Sequence, residues 1–323
     1  MITRTLEVLF FLTILIGSAG SCMADSAKEM LAAGRIDEAI ATLNGPPSSP
    51  AADAMSANLL CRAYYALEDW EGAESSCRKA VALDPGNSRF HLWLGRVYGE
   101  KAERSNFVTA LGLAVKVRAE FESAVRLDPK DKDIEARLDL AEFYAQAPGA
   151  IGGGQDKARA QAASLATLNP GREHWVYARL AEERKENAAA EREYHQYIDL
   201  SGGDAQAWLD LALFLQRQKR FAEMEQAIVN LSQSPAPRPD VLVEASETLY
   251  RSRRSYPFAT ELLQRYLMTG PVEEAPAFRA HYLLGTLLEY QGDKAGAAQQ
   301  YRASLALVRN FGLAQQALNR VAH

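Results

Sequence analysis

Residues 54–85 read AMSANLLCRAYYALEDWEGAESSCRKAVALDP. Leu60 and Tyr64 are four residues apart, as are Ala73 and Cys77, so each pair lies on one face of a helix. The polar segment 68–72 separates the two apolar patterns, and Pro85 ends the second one because proline lacks an amide donor. The stretch predicts a helical hairpin. A hairpin this short cannot bury both of its apolar faces alone, so it must stack on neighbours.

The same pattern recurs along nearly all of the chain after residue 26. Copies open at Leu94-Gly95 with Tyr98 and at Leu284-Gly285 with Leu288, and the last copy continues with Ala297, Tyr301 and Ser304. Further copies centre on Tyr144, Ala178, Ala212 and Tyr250. Small residues at fixed offsets are expected where two helices approach closely, with larger side chains filling the gaps beside them.

These residues resemble the tetratricopeptide repeat, whose pattern places a leucine, a small residue and a tyrosine on the first helix and Ala-x3-Phe on the second. The resemblance implies an all-α, right-handed superhelical solenoid of antiparallel helix hairpins, with about seven units. We assign residues 25–323 to this repeat domain. Proline-rich residues suggest a bend near 234–240, and the amphipathic segment at about 310–323 predicts a C-terminal capping helix.

Two copies depart from the pattern. In the second, about ten extra residues fall within 103–117, which predicts an extended second helix or a helical insertion. In the third, a glycine-rich loop ends with Gly152, Gly153 and Gly154. Glycine amides before a helix can bind an anion, but no Gly-Lys-Ser/Thr sequence follows. The two interpretations are a long turn and a loop that contacts a partner.

The N-terminus resembles a secretory signal. Arg4 precedes the apolar run 8–16, and small residues follow it. Residues 1–24 therefore form a predicted signal peptide, with Cys22 as an alternative site of lipidation. We expect export to the periplasm or cell envelope, with membrane attachment only through such a lipid.

Cys61 and Cys77 are the only other cysteines, one on each helix of the first hairpin. In an oxidising compartment they could form a disulfide. They could equally be two small core residues, because their offset along antiparallel helices makes the bridging geometry marginal.

Composition and motifs argue against several classes of function. The net charge of −5 is unfavourable for a nucleic-acid partner. The five histidines are scattered, without the spacing of a zinc site, and no nucleophile elbow is present. We therefore expect no enzymatic activity, no metal and no cofactor.

The family resemblance implies a concave groove lined by the first helix of each hairpin. The register places these arginine and aromatic residues there: Arg62, Tyr65, Arg89, Arg96, Arg172, Trp175 and Arg179. Guanidinium groups bind carboxylates bidentately, so an acidic or C-terminal peptide suits this set, although solvated arginines without a ligand are the alternative. The sequence thus predicts a non-enzymatic exported scaffold or adaptor for protein partners. The alternative is an accessory factor that binds a glycan, lipid or anion in envelope polysaccharide or lipid handling.

Overall fold

The computed structural model describes residues 24–45, 50–128, 134–235 and 237–322. Within these ranges the regular structure is helical, apart from one isolated bridge between Val272 and Ala275. The helices are α1 (24–32), α2 (Ile36–Leu43), α3 (Pro50–Ala66), α4 (Trp70–Leu83), α5 (Ser88–Glu103), α6 (Phe107–Leu127), α7 (Glu135–Gln146), α8 (Gln155–Leu165), α9 (Pro170–Glu183), α10 (Asn187–Leu200), α11 (Ala205–Arg217), α12 (Phe221–Gln233), α13 (Pro239–Arg251), α14 (Tyr256–Thr269), α15 (Ala277–Tyr290), α16 (Lys294–Leu307) and α17 (Gly312–Val321).

Consecutive helices pack as hairpins, which confirms the predicted all-α architecture of antiparallel pairs. The chain divides into two compact units, one ending at Ala136 and the other beginning at Arg137. The first contains the hairpins α3/α4 and α5/α6. In the second, a continuous apolar core extends from Ala178 to Leu287.

Side-chain caps start many of these helices. Asp69 accepts a hydrogen bond from the Gly72 amide, and Asp293 accepts one from the Gly296 amide, at equivalent turns of the first and last hairpins. Asn87, Asn106, Asn169 and Asp204 cap other helices in the same way. Each cap satisfies an amide that has no partner inside its helix.

Glycines on the first helices allow an aromatic ring of the second helix to approach. A Cβ atom at Gly95 would lie 2.5 Å from the Phe121 ring, and one at Gly285 would lie 2.6 Å from the Tyr301 ring. These contacts are the physical reason for the small residue in the repeated pattern.

In the hairpin α3/α4, Cys61 and Cys77 occupy the same two positions and form a disulfide. Their Cα atoms are 5.1 Å apart, inside the usual range for a bridge. The sequence argument that the offset made this geometry marginal was wrong, because the two positions are a point of close approach between the helices.

The additional residues of the second copy lengthen its second helix. α6 begins at Phe107, capped by Asn106, and runs for 21 residues without interruption. Its first turn is open to solvent, with Phe107 and Val108 each 77% exposed.

The C-terminal helix α17 covers the last hairpin. Ala317 and Val321 pack against Ala297 and Tyr301 of α16. The proposed bend near 234–240 stays a prediction, since residue 236 lies outside the described residues. None of the helices in the described ranges has the length and apolarity needed to cross a bilayer.

Candidate functional site

In the first unit, three of the predicted groove residues meet around one tryptophan. The guanidinium carbons of Arg62 and Arg96 lie 5.2 and 5.3 Å from the centre of the Trp93 ring, and the Tyr65 ring lies 5.5 Å from it. Arg62 and Tyr65 come from α3, and Trp93 and Arg96 from α5. We call this group, with Asn58 one turn before Arg62, the α3–α5 surface.

The α3–α5 surface contains two buried donors that lack acceptors. Within the described ranges, neither Nδ2 of Asn58 nor Nε1 of Trp93 has a hydrogen-bond partner. Asn58 is only 2% exposed, so its amide is shielded from bulk water. An unpaired buried donor costs about 1–3 kcal/mol, and native proteins generally satisfy such groups. Arg96 also donates to Glu135 at 2.8 Å.

Arg89 lies apart from this group. It is exposed at the start of α5, where it lines a shallow depression with Asp84 and Leu127. The sequence register placed it in the groove, but the turn before α5 puts it beside the end of α6 instead.

In the second unit, the predicted arginines pair with acids of the protein itself. Arg172 contacts Asp210 at 3.4 Å and lies over the Tyr197 ring, and the Trp175 indole hydrogen-bonds the same carboxylate. Arg179 contacts Glu142 at 3.0 Å and Glu182 at 2.8 Å, and its side chain is only 13% exposed.

These pairings correct the interpretation of Arg172 and Arg179 as cations available to an acidic ligand. Arg172 pairs with a carboxylate of α11 and Arg179 with one of α7, which no sequence register reveals, and Arg179 also pairs with Glu182 of its own helix. Burial raises the pKa of Asp210 to about 6, while the positive charge of Arg172 opposes that shift.

Glu182 connects three helices in this region. It accepts hydrogen bonds from Arg217 of α11 at 2.8 and 2.9 Å and from the Tyr194 hydroxyl of α10 at 2.6 Å. Although burial opposes it, the hydrogen bond from Arg217 helps to hold the pKa of Glu182 below its ordinary value.

The last hairpin repeats this arrangement. Glu289 accepts from Arg320 at 2.7 and 2.8 Å and from Tyr301 at 2.7 Å. In both hairpins the tyrosine follows the glutamate by twelve residues. The twelve-residue spacing is visible in the sequence, but the spacing alone does not show that the two side chains form a hydrogen bond.

The glycine loop is held by its own backbone. A short 3-10 turn spans Gly149–Ile151, and the amides of Gly152, Gly153 and Gly154 donate to the carbonyl oxygens of Gly149, Pro148 and Tyr144. Because all three amides are used internally, the loop does not offer them to an anion. A role in contacting a partner stays a prediction.

Sequence reasoning missed a cavity in the second unit. It has a volume of about 510 Å³ and lies among α13, α15 and the start of α17. Its lining includes four carboxylates, those of Asp240, Glu244, Glu247 and Glu274, together with Tyr250, Tyr282, Leu283 and Phe311. We call it the α13–α15 cavity. Its acidic residues Asp240, Glu244 and Glu247 are spaced along one face of a helix, a pattern that does not distinguish a cavity wall from a solvated face.

The histidines serve as links between the two helices of a hairpin. Nδ1 of His91 lies 2.6 Å from Glu120, that of His174 lies 2.7 Å from Glu193, and that of His281 lies 2.7 Å from Gln300. In the part of the chain that the structure describes, no cluster of three or more His, Cys, Asp or Glu residues could hold a metal ion.

Comparison with known families agrees with the repeat register. The sequence model of a tetratricopeptide repeat family matches residues 58–101 and 248–321. The first range extends from within α3 through most of α5, and the second from the end of α13 to the end of α17. This chain carries tetratricopeptide repeats. No curated protein matches its sequence.

Several solved structures resemble parts of this repeat chain. A tetratricopeptide repeat protein from Parabacteroides merdae is 16% identical, with a TM-score of 0.38, covering 81% of this chain and 96% of its own. The MamA protein is 16% identical, with a TM-score of 0.36 and coverages of 64% and 97%. A chain of the APC/C hetero-tetramer Cut9-Hcn1 is 14% identical, with a TM-score of 0.38 and coverages of 93% and 55%. At these scores we draw no functional conclusion from the three.

Proposed function

We propose that this tetratricopeptide repeat protein is a non-enzymatic scaffold or adaptor that binds protein or peptide partners through the first helices of its hairpins. The observation that carries the proposal is the α3–α5 surface, where the unpaired indole donor of Trp93 lies between two arginines and the unpaired amide donor of Asn58 is one helical turn from Arg62. A bound partner that supplies acceptors would satisfy them.

The chemistry of that surface suits a carboxylate. It contains amide, indole and guanidinium donors, and the planar guanidinium groups favour bidentate contact with an acidic side chain or a chain terminus, which would compete with Glu135 for Arg96. The aromatic rings of Tyr65 and Trp93 add apolar area of the kind found at binding hot spots. An acidic peptide segment is therefore the proposed occupant.

We propose further that the protein acts outside the cytoplasm, in the periplasm or cell envelope. The basis is the signal-like segment 1–24, most of which, with Cys22, lies outside the described residues. The Cys61–Cys77 disulfide supports an oxidising compartment, because such bonds persist there and are rare in the cytosol.

A second candidate function is binding of a glycan in envelope polysaccharide handling. Tyr250, Tyr256 and Tyr290 form a cluster with ring centres 5.4 to 6.4 Å apart, and Tyr290 is 63% exposed. Aromatic faces of this kind can stack on sugar rings. This candidate predicts oligosaccharide binding that is lost in Tyr290→Ala.

The scaffold proposal is tested by crosslinking in the native envelope, followed by mass spectrometry of the captured proteins. We expect the double variant Arg62→Ala/Arg96→Ala to lose the partner that crosslinks near Trp93. Arg78→Ala is the matched control, because Arg78 is an exposed arginine on the second helix of the first hairpin. Equal capture of the partner by the unmodified protein, the double variant and Arg78→Ala would reject the α3–α5 surface as the binding site.

A further inference from the structure

The α13–α15 cavity has the size of a binding site. Its volume of about 510 Å³ falls within the range of ligand pockets. One side is formed by α13, which contributes Asp240, Glu244 and Glu247, and the opposite side by Tyr282 and Leu283 of α15. All of these elements belong to the second unit.

The charges in the cavity are unbalanced. Four carboxylates line it against one arginine, Arg279, whose guanidinium lies 5.5 Å from the centre of the Phe278 ring and 5.9 Å from that of Phe311. Glu247 pairs with Arg251 at 3.2 Å and Asp240 with Arg238 at 2.8 Å. Both of these arginines are mostly exposed.

Glu244 has no such partner within the described ranges. Arg251 acts on its carboxylate only as a distant charge, while it pairs directly with Glu247. The side chain of Glu244 is exposed, but partial shielding of its carboxylate from water by the surrounding protein, and then the negative charges of Asp210, Glu247 and Asp240, raise its pKa, against the positive charge of Arg251. A cation beside Glu244 would relieve both effects.

The cavity walls determine which kind of cation fits. The carboxylates are not grouped as metal ligands, since no cluster in the described residues could hold a metal ion. The rings of Tyr250, Tyr282 and Phe311 line the same space. Aromatic faces attract ammonium and guanidinium groups, and apolar walls accommodate the aliphatic stem of a lysine or arginine.

We infer that the α13–α15 cavity binds a basic side chain, lysine or arginine, presented by a peptide segment of a protein partner. The inference rests on the proposed scaffold function, because it takes the partner to be a protein. Its ligand charge is the opposite of that expected for the groove arginines, for which the sequence suggested an acidic ligand. The partner then carries acidic groups for the α3–α5 surface and basic groups for the cavity, or two partners share the scaffold.

The test uses two fluorescein-labelled nonapeptides, one with alternating lysine and glycine and one with alternating glutamate and glycine, titrated with the full exported chain by fluorescence anisotropy. We expect the lysine peptide to bind at least about tenfold more tightly than the glutamate peptide. Glu244→Gln/Glu247→Gln should weaken it about tenfold, which corresponds to about 1.4 kcal/mol.

The matched control is Glu261→Gln/Glu225→Gln, which removes the same charge from the second helices α14 and α12. Equal loss in both double variants would overturn the inference, because the binding would then follow net charge alone. If spermidine displaces the lysine peptide and binds with the same affinity as that peptide, the peptide assignment would be overturned in favour of a small amine. If a neutral oligosaccharide binds more tightly than the lysine peptide, and this binding is lost in Tyr282→Ala, the peptide assignment would be overturned in favour of a glycan.

Failure of the cavity proposal can be distinguished from failure of the scaffold proposal. Lysine-peptide binding that is absent while the crosslinks near Trp93 persist rejects only the cavity. Loss of those crosslinks with specific lysine-peptide binding retained rejects only the α3–α5 surface.

Discussion

Cys61 and Cys77 stand at the positions that Gly95 and Phe121 hold in the second hairpin and that Gly285 and Tyr301 hold in the last. In those hairpins a ring fills the space above a glycine. In the first hairpin a covalent bond replaces that packing, with a Cα separation of 5.1 Å. The same point of close approach therefore serves either as a packing contact or as a crosslink.

We predict that Cys61→Ala/Cys77→Ala lowers the free energy of unfolding by about 3 kcal/mol, the value expected for closing a loop of about 15 residues. Urea unfolding monitored by circular dichroism measures it. Reduction of the unmodified protein should produce the same fall. Two free thiols in the mass spectrum of the unreduced, exported protein would contradict the bond.

At the scale of helices, Glu182 connects α9 to α10 and α11 through charged hydrogen bonds. Its side chain is 9% exposed, and its neighbour Glu183 is exposed to solvent. The sequence pattern does not distinguish the buried glutamate of this pair from the exposed one. Only the packing of the next hairpin distinguishes them.

We expect Glu182→Gln to lower the free energy of unfolding by about 2 kcal/mol, because it removes the counter-charge of Arg217 and leaves the largely buried Arg179 paired with Glu142. Glu183→Gln should change it by less than about 0.5 kcal/mol.

The contribution of Glu182 to the free energy of unfolding has a defined pH dependence. Its pKa is lowered in the folded protein, so the stabilisation is present above the unfolded pKa and is lost as pH falls through the folded pKa.

A pH series of urea unfolding for the two variants measures this difference. A constant gap between Glu182→Gln and the unmodified protein across the acid range would argue against the ion pair as its source.

The glycine loop between α7 and α8 gives a second prediction for an element. A Cβ atom at Gly153 would overlap the Ala147 carbonyl oxygen, whereas one at Gly149 would meet no atom within 4 Å. Gly153→Ala should therefore lower the free energy of unfolding by about 2 kcal/mol, and Gly149→Ala should not.

Thermal unfolding of the two single variants provides the comparison. Equal melting temperatures would mean that the loop adjusts without cost.

For the whole molecule, the prediction that remains to be tested is export. We expect the mature protein from the native cell envelope to begin at Asp25, after cleavage following Ala24. Peptide mapping of the N-terminus by mass spectrometry measures this. A diacylated mass at Cys22, lost in Cys22→Ala, would instead establish the lipoprotein, and an intact Met1 in that fraction would exclude processing.

The sequence by itself determined the repeat and its register, because the spacing of Leu94, Gly95 and Tyr98 reflects contacts inside one hairpin. It also placed Arg62, Tyr65 and Arg96 on the first helices of successive hairpins, and the packing of those helices brings the three residues around Trp93. Tertiary structure alone decided which charges are paired. Arg172 pairs with Asp210, 38 residues away, and Arg179 with Glu142, 37 residues away. The α13–α15 cavity forms only where three helices converge. Helix periodicity records which face a residue lies on, whereas the partner of a charge depends on how neighbouring hairpins stack.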